Sequence, residues 1–341
     1  MLSRFKSAAR ILLKGDAKKK KRNPVPAITA EEVAEIRQFF PREKFFIFGH
    51  ARSGTTLLTR LVRLHLEVHC NYQAHFFTRQ PLLKSLVNTP EAEEWLTRKS
   101  NRWNQGRDLS PLVLRAAADF IMERDAIKEG KRIVGDKSPS STIHGQAVRD
   151  LHAVYPDAKL IYIVRDGRDV LISERFRNLV EESKFLKPED KRIIEDLRKD
   201  QAQFTNGTRS IFTENVIRRV AAGWVKNLQE TDDEGRRLFG ERYYSLRYED
   251  LLVRPFEEMQ RLWEFLSVQV DPSLEKDIFE EMSTNPDEEW QTKRNEDIAS
   301  FLPKGQAGNW QRLFSARDKT VFKDVAGELL VQWKYEKDLS W

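Results

Sequence analysis

Short apolar runs at residues 45–48, 68–70, 132–135, 160–164 and 243–246 alternate with longer stretches in which apolar side chains recur every three or four positions. The runs are dense in aromatic and β-branched residues, the composition of strands buried on both faces. The periodic stretches predict helices over 30–40, 57–62, 77–98, 112–128, 144–154, 189–203, 214–230 and 256–266. Thr29 stands where the first of these would be capped, and Pro255 where the last begins. Strands alternating with helices predict an α/β domain of three layers, a central and mainly parallel sheet flanked by helices. The long helices at 189–203 and 214–230 are expected to form a helical cap. No internal repeat interrupts this order.

Composition adds limits rather than a new picture. Of 341 residues 40% are hydrophobic, with eight Trp and twenty Phe, enough for a substantial core. One cysteine, Cys70, excludes an intrachain disulfide and fits a reducing compartment, so a cytoplasmic location is expected. No Cys and His cluster has metal-ligand spacing. The net charge of +6 suits an anionic ligand, but acidic and basic residues are interspersed over most of the chain. Nucleic-acid binding is not indicated by that pattern.

The basic excess gathers in a leader over residues 1–28, ahead of one domain expected over 29–341. Leu2, Phe5, Ala9, Leu12 and Leu13 fall at helical spacing among Arg4, Lys6, Arg10 and Lys14, and residues 18–22 are an unbroken basic run. The apolar stretch is too short to span a membrane or to form a signal-peptide core. Two readings stay open: a basic amphipathic helix in peripheral contact with an anionic membrane, or a flexible solvated leader.

The strongest chemical signal is the turn Gly49-His50-Ala51-Arg52-Ser53-Gly54-Thr55-Thr56 between the first strand and its helix. A strand, a two-glycine turn and a helix N-terminus make a cradle of backbone N–H groups for phosphate oxygens, so the fold expected is P-loop-like. The glycines have the spacing of the nucleotide-triphosphate loop. Where that loop carries its lysine this chain has Thr55 and Thr56, and its cation, Arg52, lies inside the turn. The usual lysine reaches the β- and γ-phosphates and the hydroxyl after it holds magnesium. Moving the cation keeps phosphate binding and disfavours triphosphate chemistry. A second signal follows the run at 160–164, where Arg165 stands at a strand end and Ser173 eight positions later on the next helix. Open α/β sheets bind ligands at such strand ends, and a guanidinium grips phosphate bidentately.

At these residues the chain resembles the sulfotransferases that use 3′-phosphoadenosine-5′-phosphosulfate (PAPS). Arg52-Ser53-Gly54-Thr55-Thr56 matches the arginine version of their phosphosulfate loop, with Ala51 in place of proline. The segment from Arg165 to Ser173 is similar to their 3′-phosphate site. A third match, Lys304-Gly305-Gln306-Ala307-Gly308-Asn309-Trp310, follows in family order, with Pro303 where the family has arginine. The resemblance implies PAPS as co-substrate with no metal expected. It places Arg52, Ser53, Gly54, Thr55 and Thr56 around the 5′-phosphosulfate and Arg165, Ser173, Lys304 and Gly305 around the 3′-phosphate. Trp310 is read as a packing anchor. Tyr248-Glu249-Asp250-Leu251 also resembles a family segment, and is read as core packing ahead of the helix starting at Pro255.

Sulfonate transfer needs a base for the acceptor, cations on the sulfonate oxygens and a cation on the departing phosphate. Arg52 suits the last role; a guanidinium keeps its proton in proteins, which makes it a charge stabiliser rather than a proton donor. Lys137 resembles the lysine of a Lys-Ser-Pro segment that neutralises the sulfonate in some branches. His75 is the expected base, Asp136 the second candidate and His50 the third. Gln73 stands where the arginine-type branch carries a glutamate. His65 and His69 are expected to sit in the fold without chemistry. A small-molecule, sugar or lipid acceptor is expected against Phe76, Phe77 and the variable helices. Two other classes compete: a P-loop-type kinase or NTPase, which predicts magnesium-dependent ATP binding, and a non-catalytic membrane-surface protein.

Overall fold

A computed structural model of the protein describes residues 24–79, 82–98, 100, 102–180, 186–284 and 306–341. Its sheet has five strands: β1 (Glu43–Gly49), β2 (Val68–Tyr72), β3 (Ile133–Lys137), β4 (Lys159–Val164) and β5 (Tyr243–Arg247). They run wholly parallel in the order β2-β3-β1-β4-β5. Each strand falls on one of the apolar runs. β3 continues two residues past Gly135, so strand register places Asp136 and Lys137. Lys137 lies opposite Ile47 of β1 and Tyr72 of β2.

The helices used below are α1 (Ala30–Arg37), α2 (Thr55–Val62), α3 (Ser110–Lys128), α4 (Gly145–Val154), α5 (Gly167–Val180), α6 (Pro188–Lys199), α7 (Glu214–Phe239), α8 (Tyr248–Val253), α9 (Pro255–Phe265), α10 (Leu274–Ser283) and α11 (Ala316–Gln332). Period-two alternation divides each buried strand between two cores. Phe45, Ile47, Ile161 and Ile163 face Leu58 and Leu61 of α2 and Met259 and Trp263 of α9. Phe46, Phe48, Tyr162 and Val164 face Leu114 and Ala118 of α3, Val148 and Leu151 of α4 and Trp224 of α7. Helices therefore cover both faces, as expected.

Two helix expectations change. The stretch 77–98 holds two short helices, Leu82–Ser85 and Pro90–Thr97. Pro90 lacks an N–H and holds Thr89 extended (φ −113°, ψ 152°), where the Thr89 hydroxyl caps the second piece by accepting from Ala92 N at 3.1 Å. The helix expected over 30–40 ends at Arg37, and the cap expected at Thr29 is present as a capping box closed by Glu32. Of the two long helices expected to cap the molecule, α7 continues to Phe239 and packs directly on β4 and β5. The other, α6, is tied to α5 through the Arg175–Asp190 ion pair at 2.7 Å.

Residues 1–23 of the expected leader lie outside the described residues. Ile28 is already buried and donates its N–H to the Ala153 carbonyl at 2.8 Å, so contact with the domain begins before residue 29. Among the described residues no helix is long and apolar enough to cross a membrane.

The strand order decides where a ligand fits. The chain leaves β1 toward β2 on one side of the sheet and leaves β4 toward β5 on the other. β1 and β4 are neighbours, so the crevice at this switch point opens between their carboxyl ends. Those ends carry the glycine turn and Arg165.

Candidate active site

The turn after β1 is held open by backbone geometry. Gly54 sits at φ 85°, and a Cβ there would fall 2.1 Å from the Tyr248 ring, so no side chain fits. Arg52 also adopts a left-handed conformation, φ 72°, at a cost of about 1–3 kcal/mol. The turn closes through Ser53 N donating to His50 O at 3.1 Å, and α2 begins at Thr55 with its first N–H groups unpaired inside the helix. The hydroxyl of Ser53 is buried and has no hydrogen-bond partner among the described residues. An orphaned donor inside a nest of amides and beside a cation is a site built for an anion. His50 donates Nδ1–H to Ala51 O at 2.9 Å, and burial holds its pKa below the ordinary histidine value. It braces the turn.

The second phosphate signal joins the first. Arg165, at the end of β4, donates Nη1 to Arg52 O at 3.0 Å and Nη2 to Gln306 O at 2.9 Å, and its guanidinium lies 4.8 Å from the Tyr248 ring centre. Its Nε is buried without a hydrogen-bond partner among the described residues. Arg52 Nε donates to Ser173 Oγ at 3.0 Å. Thus Arg52, Ser53, Arg165 and Ser173, expected as two phosphate pockets, form one continuous basket. From the third match, Gly308 and Trp310 are present there, their N–H groups donating to Asp169 at 2.6 and 3.0 Å. Lys304 and Gly305 lie outside the described residues.

Lys137 is fully buried at the end of β3. Its ammonium donates to Thr56 Oγ1 at 3.4 Å and stands 5.2 Å from the Tyr72 ring centre. Strand register thus brings a cation to the exposed side of the glycine turn. Asp136, the second candidate base, is buried beside the loop that carries His75. Its carboxylate accepts from Ala74 N at 3.0 Å and from the Ser138 hydroxyl, and burial pushes its pKa up to about 6. It fixes the loop that carries His75. That loop is strained, with Gln73 at φ 56° and His75 at φ 53°. His75 N donates to Ser138 Oγ at 2.8 Å, Nδ1 lies 2.9 Å from Thr78 Oγ1, and Nε2 is buried with no hydrogen-bond partner among the described residues. Burial, then Arg79 and Lys137, lower its pKa, so the ring is neutral at pH 7. In the tautomer that donates Nδ1–H to Thr78 Oγ1, Nε2 carries the lone pair a base requires.

His65 donates Nε2–H to Gln269 O and accepts from Glu67 N, and His69 bridges Glu129 and Asn71, so both are spent on structure as expected. Tyr248 and Glu249, read as core packing, do more. Tyr248 seals Gly54 and stacks under Arg165, while Glu249 accepts from Asp166 N at 3.0 Å and fixes the turn after Arg165. The family-like segment was the available signal; its neighbours in space were not readable.

Burial, with repulsion from Asp166, raises the Glu249 pKa from 4.5 to about 7. The folded state then holds a proton that the unfolded state releases between those two values. Stability contributed by this group is therefore lost as pH rises from about 4.5 to about 7, and is constant above. We expect urea unfolding to show wild type losing about 2–3 kcal/mol more than Glu249→Gln between pH 5 and pH 8. Equal losses in the two proteins would contradict this placement of Glu249.

The chain is similar to several known proteins. The relative Protein-tyrosine sulfotransferase A of Caenorhabditis elegans is 26% identical over 233 residues, covering 67% of this chain and 51% of the relative. Protein-tyrosine sulfotransferase of Drosophila melanogaster is 25% identical over 227 residues, 65% of this chain and 38% of the relative. The chain thus spans about half or less of the length of these curated relatives. Among solved structures, the sulfotransferase domain from the curacin biosynthetic pathway has a TM-score of 0.48 at 18% identity, covering 84% of this chain and 97% of that one. A mouse sulfotransferase complexed with PAP has a TM-score of 0.46 at 14% identity, covering 91% and 94%. The profile of the Sulfotransferase family matches residues 44–272, a span that holds the glycine turn, Lys137, Arg165, Ser173 and Tyr248. On that match the chain belongs to the Sulfotransferase family.

Proposed function

We propose that the protein transfers a sulfonate group from PAPS to an acceptor hydroxyl or amine by in-line displacement. The observation that carries this reading is the junction of the two phosphate motifs, Arg52 on Ser173 and Arg165 on the Arg52 carbonyl. A nucleotide with phosphates on both its 5′ and 3′ positions presents two separated anions to such a basket. The orphaned donors Ser53 Oγ and Arg165 Nε supply one hydrogen bond to each. Lys304 and Gly305 are assigned to the 3′-phosphate by sequence.

In the reaction, an acceptor oxygen or nitrogen forms a bond to sulfur while the bond from sulfur to the 5′-phosphate oxygen breaks. The electron pair leaves on that oxygen, and the acceptor proton passes to His75 Nε2. Arg52 and the α2 amides take up charge on the leaving phosphate, and Lys137 takes up charge on the sulfonate oxygens. The two curated relatives are named for protein tyrosine, so a peptide phenol joins small molecules, sugars and lipids as an acceptor to be tested.

The test is label transfer from PAPS carrying radioactive sulfur to separate pools of tyrosine peptides, small phenols, sugars and lipids. Transfer into one pool, abolished in Arg52→Ala, is the expected result. No transfer into any pool, together with magnesium-dependent ATP hydrolysis, would favour the nucleotide-kinase reading instead.

A further inference from the structure

Arg168 is a buried arginine one turn beyond Arg165, and it touches neither the glycine turn nor the candidate base. Its Nε and Nη2 donate to the Asp166 carboxylate at 2.9 and 2.6 Å, and its Nη1 pairs with Glu336. The guanidinium lies between two indoles, 3.6 Å from the Trp310 ring centre and 4.4 Å from that of Trp341. The two indoles meet edge to face at 5.6 Å and 77°. A desolvated cation between two aromatic faces is held strongly and in one orientation.

Three partners of Arg168, Trp310, Glu336 and Trp341, bear on the nucleotide basket. Trp310 ends the segment 306–310, whose Gln306 carbonyl accepts from Arg165 and whose Gly308 and Trp310 amides are held by Asp169. Glu336 and Trp341 belong to residues 334–341, which turn back after α11 at Lys334 (φ 59°), with Tyr335 N donating to Leu330 O at 2.8 Å. Lys323 of α11 fastens the end of this strap by bonding the Trp341 carbonyl and lying 5.0 Å from its ring centre. The strap therefore presses Arg168 onto Trp310 and keeps segment 306–310 against Arg165.

We propose that Glu336 and Trp341 are positioning residues for nucleotide binding, acting through Arg168 and Trp310 to hold Arg165 in its phosphate-gripping geometry. This inference rests on the sulfotransfer reading above. Pre-organising a guanidinium lowers the cost of ordering it when the anion arrives, so loosening the strap weakens nucleotide binding and spares the chemical step.

The test uses the full chain as wild type, Trp341→Ala, Trp341→Phe and Glu336→Gln. It measures the PAP (3′,5′-adenosine bisphosphate) Kd by calorimetry, the PAPS KM and kcat, and Tm. Trp341→Ala is expected to raise both Kd and KM at least 10-fold with kcat within two-fold, and Trp341→Phe to recover most of the loss. If Trp341→Ala does not fold, Glu336→Gln carries the test with the same sign. A lowered Tm with unchanged Kd and KM, or variants that all fail to fold, would mark the strap as purely structural and overturn the inference. Wild-type protein that does not bind PAP would instead overturn the proposed function, and this inference with it.

Discussion

Replacing His75 by alanine is expected to lower kcat by roughly 10²- to 10⁴-fold while changing PAP affinity little, the effect of removing a general base. The imidazole has the two properties the role demands. Its Nδ1 is engaged by Thr78, which orients the ring, and its Nε2 has no hydrogen-bond partner among the described residues. Burial beside Arg79 and Lys137 lowers its pKa in the free protein, so the acid limb of the kcat/KM profile is expected below the ordinary histidine value of about 6.5. The competing carboxylate, Asp136, spends its oxygens on Ala74 N and Ser138. Loss of Asp136 would displace the His75 loop and lower kcat indirectly. Full turnover in His75→Ala would move the base assignment back to Asp136.

Lys137→Met should lower kcat by roughly 10²- to 10³-fold, the scale for removing one preorganised charge from a transition state. Methionine keeps the buried aliphatic stem and removes only the ammonium that lies beside Thr56. PAP lacks the sulfonate, so its affinity should change far less than kcat. A variant whose kcat stays within about three-fold would show that Lys137 serves the fold at the β2–β3–β1 junction and not the sulfonate.

Residues with a one-dimensional signature were legible. Apolar runs gave all five strands because buried parallel strands need no polar positions, and glycine spacing gave the turn that Gly54 makes obligatory. Pairing in space was not legible. The contact of Tyr248 with Gly54 and Arg165 joins segments that no periodicity connects, as does the stacking of Trp341 on Arg168. The apolar run stops at Gly135, and pairing with β1 and β2 carries β3 on through Asp136 and Lys137. The helix expected over 77–98 failed at Pro90, where a missing N–H outweighed apolar periodicity.

The central claim is that one basket, built from the glycine turn and Arg165, grips a nucleotide by two separated anions. Calorimetry with PAP in the absence of divalent metal tests it most directly. The account predicts binding to wild type and a loss of roughly 10- to 100-fold in Arg165→Ala, the scale of hydrogen bonds to a charged group. Unchanged PAP affinity in Arg165→Ala, or a preference for magnesium-ATP over PAP, would contradict it.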